Sequence, residues 1–140
     1  MSLKGAILSR MYAPKVRHRL PGRLRLSVPL LKRVPEGREF LANKLEELFL
    51  LPVGVETVKV SFVSGSILVA YDVSVMGEES VLQWVGSLWR LIGEHYDRLE
   101  QLTPDRVDLV LSRITPLLQA ALNENHSFDK RIDVPDDVWS

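Results

Sequence analysis

Between residues 15 and 25 the chain alternates cation with non-cation. Lys15, Arg17, Arg19, Arg23 and Arg25 take the odd positions, with Pro21 the only interruption; Val16, His18, Leu20, Gly22 and Leu24 lie between them, and Leu26 and Val28 continue the apolar series. Period two is the period of a half-buried β-strand, whose successive side chains leave opposite faces of the pleat. The spacing predicts one strand with an apolar face toward a core and five cations along roughly 35 Å of the other, at about 3.4 Å per residue. Like charges on one face repel, so folding alone gives little reason to place them there. Two readings stand: a solvated or aggregation-guarding strand face, or a docking surface for something anionic. Pro21-Gly22 is expected to bulge or break the strand. His18, on the face of Leu20 and Leu24, is expected at the edge of the core.

The rest of the composition bounds the class. A chain of 140 residues, 46% of them hydrophobic, is long enough for one core, and one compact domain with a tail is expected. Arg90 and Glu94 interrupt the richest apolar region, so no stretch of about 20 apolar residues is available to span a membrane. The run from Met1 to Arg10 is too short in apolar residues for a signal peptide. There is no cysteine, hence no disulfide framework, thiolate metal site or thiol nucleophile, and the expected compartment is the cytoplasm. A formal net charge of zero hides a dipole: residues 1–40 hold ten Lys or Arg against two Glu, and the remainder carries the compensating negative charge. Such a chain can satisfy itself or pair with a copy, so its basic part does not by itself imply nucleic acid.

Downstream, a proline-bounded connection from Pro29 to Pro35 leads to a helix over about 36–51, with Phe40, Leu41, Leu45, Leu48 and Phe49 as its stripe and Glu36 and Glu39 in its first turn. Pro52 stops it. Alternation over 56–62 and 66–72 around Ser64-Gly65 predicts a β-hairpin. A second helix is expected over about 78–99. Val81, Val85, Leu88, Ile92 and Leu99 form one stripe, and Trp84, Trp89 and Leu91 lie off it, an excess that predicts a self-association interface. Thr103-Pro104 opens a further element, in which Val107, Leu111, Ile114, Leu118 and Ala121 keep helical phase across Pro116; Val107, Leu109 and Leu111 also alternate, so 106–111 reads either as helix or as a fourth strand. Residues 125–140 read as an acidic tail, with Ile132, Val134, Val138 and Trp139 as apolar anchors that would dock it on the basic strand face.

The segment His18-Arg19-Leu20-Pro21-Gly22-Arg23-Leu24-Arg25-Leu26 is similar to the start of a cysteine-free branch of the heavy-metal-associated domains. Leu51-Pro52-Val53-Gly54-Val55 through Val60, followed by Ser64-Gly65-Ser66 through Asp72, resembles that family's hairpin, so the likeness covers about residues 14–72. It implies an α+β, ferredoxin-like βαββα(β) sandwich, here with an additional C-terminal helix and acidic tail: an N-terminal extension over 1–13, the domain over 14–100, a helical segment over 101–124 and the tail over 125–140. Such domains are often attached to or found beside metal-transporting P-type ATPases. The family's usual metal site is a CxxC between the first strand and helix. Here that loop is Pro29-Leu30-Leu31-Lys32-Arg33-Val34-Pro35, without a soft ligand, and metal carriage by that site does not transfer.

No nucleophile motif, phosphate loop or HExxH is present, and His18, His95 and His126 are far apart in sequence. The expectation is a non-catalytic, cofactor-free interaction or adaptor module. Lys15, Arg17, Arg19, Arg23, Arg25 and Lys59 would form its anion- or partner-binding face, Trp84, Trp89 and Leu91 a homo-oligomer interface, and Ile132, Val134 and Trp139 the tail's docking points. A transport ATPase or a second copy is the expected kind of protein partner. The alternatives are a metal-homeostasis accessory of a P-type ATPase and a nucleic-acid-binding module using the basic strand.

Overall fold

The computed structural model describes residues 13–33, 37–124 and 133–140. The basic segment is two strands. Strand β1, Lys15–Leu20, turns at Pro21-Gly22 and returns antiparallel as β2, Arg23–Ser27. Proline fixes the φ of the first central turn residue, and Gly22 supplies the positive φ of 78° that the second requires. A Cβ at Gly22 would also sit 3.0 Å from the Tyr71 main-chain oxygen. The dipeptide thus makes a complete reversal where a bulge or edge break was expected.

A 3-10 turn over Pro29–Arg33 then buries Leu31 and leads toward α1, Phe40–Phe49. This helix is shorter than the 36–51 expected. Glu39 precedes its first residue and accepts a hydrogen bond from the Gly37 N–H at 2.9 Å, while Glu36 lies outside the described residues. Strands β3, Val55–Ser61, and β4, Ser66–Tyr71, form the hairpin that the alternation predicted. The sheet has four antiparallel strands in the order β1-β2-β4-β3. Elements β2, α1, β3, β4 and the following helix therefore trace the ferredoxin-like βαββα path. The edge beside β2, which a strand after the second helix would close in that plan, is filled from the N-terminal side by β1.

Helix α2 spans Glu78–Glu94 and breaks at His95, whose φ of −115° and ψ of 21° leave the helical region; α3, Tyr96–Glu100, follows. The single helix expected over 78–99 is thus two. Helix α4 runs without interruption over Pro104–Glu124, including Pro116, and the Thr103 carbonyl accepts its first-turn bond from the Val107 N–H at 3.0 Å. The strand alternative for 106–111 falls. Its buried stripe is Val107, Val110, Ile114 and Leu118, rotated from the expected one so that Leu111 and Ala121 are only half-buried.

One core joins these layers. The helix-side face of the sheet contributes Leu24, Leu26, Val60, Ile67, Val69 and Tyr71, and the same cluster takes in Trp84, Val85 and Leu88 of α2 with Val110, Ile114 and Leu118 of α4. Trp84 is 2% exposed and Leu91 8%, with Trp89 packed against the core. Two of the three residues read as a self-association interface, Trp84 and Leu91, are thus buried within the chain, and Trp89 is half-buried. Lys44 on α1 donates to the Asp108 carboxylate on α4 at 2.5 Å, which raises the lysine's pKa.

The tail is also corrected. Residues 133–140 lie against the helices and away from the basic face: Val138 is buried, and Val134 and Trp139 pack on the core. Trp139 meets His95 at 5.1 Å between ring centroids and lies under the Arg98 guanidinium at 5.7 Å. Arg106 donates to the Trp139 carbonyl at 3.0 Å, and Arg113 to the main-chain oxygens of Asp137, Val138 and Ser140. Arg98 also pairs with Asp136 at 3.1 Å. The helices carry their own cations to this segment, so it has no need of those on β1. Ile132 lies outside the described residues.

Candidate functional site

Residues paired across an antiparallel sheet point to the same face, so the register assigns each cation. Three rows cross the face that no helix covers. One runs Lys15, Ser27, Ser66, Ser61; the next His18, Arg25, Leu68, Lys59; the third Leu20, Arg23, Ala70, Thr57. No carboxylate belongs to any row. The one acidic residue within the four strands, Glu56, falls at the register shift between Val55 and Thr57. Arg23, Arg25, Thr57 and Lys59 are exposed, with Leu68 and Ala70 half-buried among them. With strands about 4.8 Å apart, four cations and a histidine share a patch roughly 15 Å across.

Strict alternation fails inside β1. The register shifts between Val16 and His18, so Arg17 is an extra residue that inverts the parity after it. His18 is therefore exposed on the open face, opposite Arg25, and the core-edge position expected for it is not found. Leu20 moves to the open face with it and is 51% exposed. Arg19, opposite Leu24, lies on the helix side, where its Nε reaches the Glu78 carboxylate at the start of α2, 3.5 Å away. Of the six basic residues singled out, Lys15, Arg23, Arg25 and Lys59 come together, Arg17 sits at the bulge and Arg19 leaves the face.

The sequence reading missed the apolar rim at one end of the sheet. Leu20, Val53, Val73 and Val75 are all more than half exposed, at 51%, 95%, 61% and 55%. Gly54 lets this end close, since a Cβ there would sit 2.6 Å from Met76 and 3.1 Å from Val75. The Asp72 carboxylate accepts from the Ser74 hydroxyl at 2.6 Å and N–H at 2.9 Å, fixing the turn after β4. Those bonds, the hydroxyl's first, hold the Asp72 pKa below its usual 3.8. Val53, Val73 and Val75 had no periodicity to reveal them, and Leu20 sat in an alternation that assigned it to the core face.

The donor set does not fit a soft metal as cargo. The turn after β2 offers proline, leucine, lysine and arginine, with Lys32 lying over Gly65 at the β3–β4 turn; thiolate and thioether ligands are absent there. Among the described residues no group of three or more His, Cys, Asp or Glu is placed to hold a metal ion. No helix among them is long and apolar enough to cross a membrane.

A four-stranded antiparallel sheet with helices and a cysteine-free chain make this an α+β domain of ferredoxin-like type. The family described as Heavy metal associated domain 2 matches residues 12–114, and the chain belongs to that family as a member without cysteine. Comparison with curated proteins and with solved structures returns no match.

Proposed function

We propose that this protein is a non-catalytic docking module that binds an acidic protein surface through the open face of its sheet. The observation that carries the reading is the set of three cross-strand rows, which hold Lys15, Arg23, Arg25 and Lys59 and no carboxylate. Edge protection accounts for cations on β1; it does not account for Arg23 and Arg25 on an interior strand. The half-buried Leu68 and Ala70 give such a face an apolar centre within a charged rim, the arrangement of a transient protein interface. A metal-transporting ATPase, beside which the resemblance places such domains, is one partner of this kind. On this reading the link to metal is by contact, without carriage.

The nucleic-acid alternative has the charge and, His18 aside, no aromatic side chain in the open-face rows of the four strands. Sheets that read single strands present aromatics on the exposed face; here Tyr71 is buried on the opposite face and Phe62 packs against the core. Binding of the intact protein to poly-L-glutamate, a single-stranded oligonucleotide and phosphatidylserine vesicles at matched charge separates the cases. We expect saturable, salt-sensitive poly-glutamate binding, weakened tenfold or more by Arg23→Glu/Arg25→Glu. Equal or tighter binding to the oligonucleotide or the vesicle overturns the reading.

A further inference from the structure

The two edges of the sheet are finished differently. At β3, the Val60 N–H donates to the Glu46 carboxylate of α1 at 2.9 Å, so a side chain already occupies a hydrogen-bonding position on that edge. At β1, all residues but Val16 are exposed, and among the described residues no hydrogen bond is made to its outer side. Residues 22 and 28, flanking β2, bond toward β4: Tyr71 N–H donates to Gly22 O at 2.9 Å, and Val28 N–H to Gly65 O at 2.7 Å. By antiparallel alternation the even residues of β2 face β4, and Arg23 and Arg25 face β1. Their partners Leu20 and His18 therefore turn inward, and the N–H and C=O of Arg19 turn outward.

We propose that the β1 edge takes an extended acidic segment of the partner protein as an added strand, its main chain pairing around Arg19 and its carboxylates lying over the open face. The inference rests on the docking function above and specifies how the face is engaged. A strand added beside His18 and Leu20 extends their rows by one position. Acidic side chains two residues apart then meet the field of Lys15, Arg17, Arg23 and Arg25, and an apolar residue near the turn covers Leu20. Main-chain bonds supply affinity and alternate side chains supply choice, as in strand addition generally.

Charge selects the occupant. A second copy pairing edge to edge brings Lys15, Arg17 and Arg19 against the same residues of its neighbour, and like charges opposite each other destabilise a ladder. The bulge at Arg17 twists the edge and shortens the run open to pairing. Cations and bulges on an edge strand do guard against aggregation. Here they guard against copies of the same chain, and an acidic strand meets them with the opposite sign.

The test uses the intact, isotope-labelled protein and two synthetic octapeptides of alternating glutamate and valine, one N-methylated at alternate amides along the edge that would pair. We expect the unmodified peptide to bind at low salt and to slow exchange of the Arg19 amide at least tenfold. N-methylation should reduce affinity on the order of 100-fold, since it removes several main-chain bonds at once. Arg23→Glu/Arg25→Glu should weaken the unmodified peptide tenfold or more. Equal binding of both peptides, or binding without protection of the Arg19 amide, overturns strand addition while the poly-glutamate result upholds the docking face. Failure of the unmodified peptide to bind also overturns strand addition, and if poly-glutamate fails with it the docking function falls too.

Discussion

Trp84 separates an interior reading of α2 from an interface reading, and its truncation gives opposite outcomes for the two. The side chain is 2% exposed and belongs to a core shared by the sheet, α2 and α4. A buried tryptophan removes about 150–250 Å² from water, worth about 4–6 kcal/mol at roughly 25 cal/mol per Å². Alanine retains about 1 kcal/mol of that, and partial collapse of the site brings the expected cost of Trp84→Ala to about 3–5 kcal/mol. Against a total stability of about 5–15 kcal/mol, this is a large fraction. With a urea dependence of about 2 kcal/mol per molar, the unfolding midpoint falls by roughly 2 M.

Urea titration followed by far-ultraviolet circular dichroism reads the shift, and light scattering on the folded variant reads its mass. Trp89→Ala is the internal control, because Trp89 is only half-buried and its loss should cost markedly less. An interface tryptophan behaves differently. Its removal would change the mass at fixed concentration, and would lower the midpoint in a way that depends on protein concentration. A midpoint for Trp84→Ala within about 0.5 M of the parent, which is about 1 kcal/mol at the same slope, would refute the burial argument.

Glu46→Ala removes the acceptor of the Val60 N–H and should cost about 1–2 kcal/mol, whereas Glu46→Gln, which keeps an oxygen there, should be close to neutral in the same titration. Gly22→Ala places a Cβ where φ is 78° and the Tyr71 oxygen is 3.0 Å away; thermal unfolding should show a loss of about 1–3 kcal/mol, and no loss would mean that the turn has another shape. Asp72 has a lowered pKa from its Ser74 bonds, so its stabilising contribution is full above the usual 3.8 and fades as pH falls through the lower folded value. Asp72→Asn should accordingly flatten the acid limb of stability against pH, and an unchanged limb would assign that dependence to other carboxylates. Calorimetric titration with copper(I), zinc or cadmium should show no stoichiometric tight site, and one abolished by His18→Ala would return metal carriage to consideration.

Elements whose physics is local could be read from the sequence. The β3–β4 hairpin follows from alternation around Ser64-Gly65, and α1 and α2 from apolar spacing bounded by Pro52 and by the acidic pair Glu78-Glu79. Pro21-Gly22 carried a turn signal as well, since proline followed by glycine suits a reversal that needs positive φ at its second position. Unbroken charge alternation on either side masked it, and two short strands read as one long one. The two-residue turn pairs Leu20 with Arg23 and so sends His18 and Leu20 outward and Arg19 toward Glu78, while the bulge at Arg17, which has no residue signature, returns Val16 to the face of Leu26. The burial of Trp84 and Leu91 was beyond periodicity because it depends on α4 arriving over α2. The tail's position likewise depends on Arg106 and Arg113, the latter 24 residues or more before the oxygens it holds.

The bulge that hid the face from the sequence also divides the work among its cations. Had alternation held, Arg17, Arg19 and their neighbours would have formed one repelling column along a strand. The inverted parity sends Arg19 to Glu78 on α2, which ties the edge strand to the helical layer, and leaves Lys15, Arg23, Arg25 and Lys59 spread over three strands. Spreading the charges lowers their mutual repulsion and widens the patch from a line to an area. The two-residue turn places Leu20 beside Arg23 instead of in the core. Deleting Arg17 removes the bulge and lets Lys15, Val16, His18, Arg19 and Leu20 alternate strictly against Ser27, Leu26, Arg25, Leu24 and Arg23, so each keeps its face. The Arg19–Glu78 pair, worth only about 0–1 kcal/mol at that exposure, is kept; the consequence is the loss of one cation and of the extra twist at the edge. Exchange and chemical-shift mapping of that deletion variant should show His18 still opposite Arg25 and a regular ladder through Val16, while β3 and β4 stay as they are. A β1 that turns His18 and Leu20 inward after the deletion would place the origin of their facing in the extra residue instead of in the turn at Pro21-Gly22.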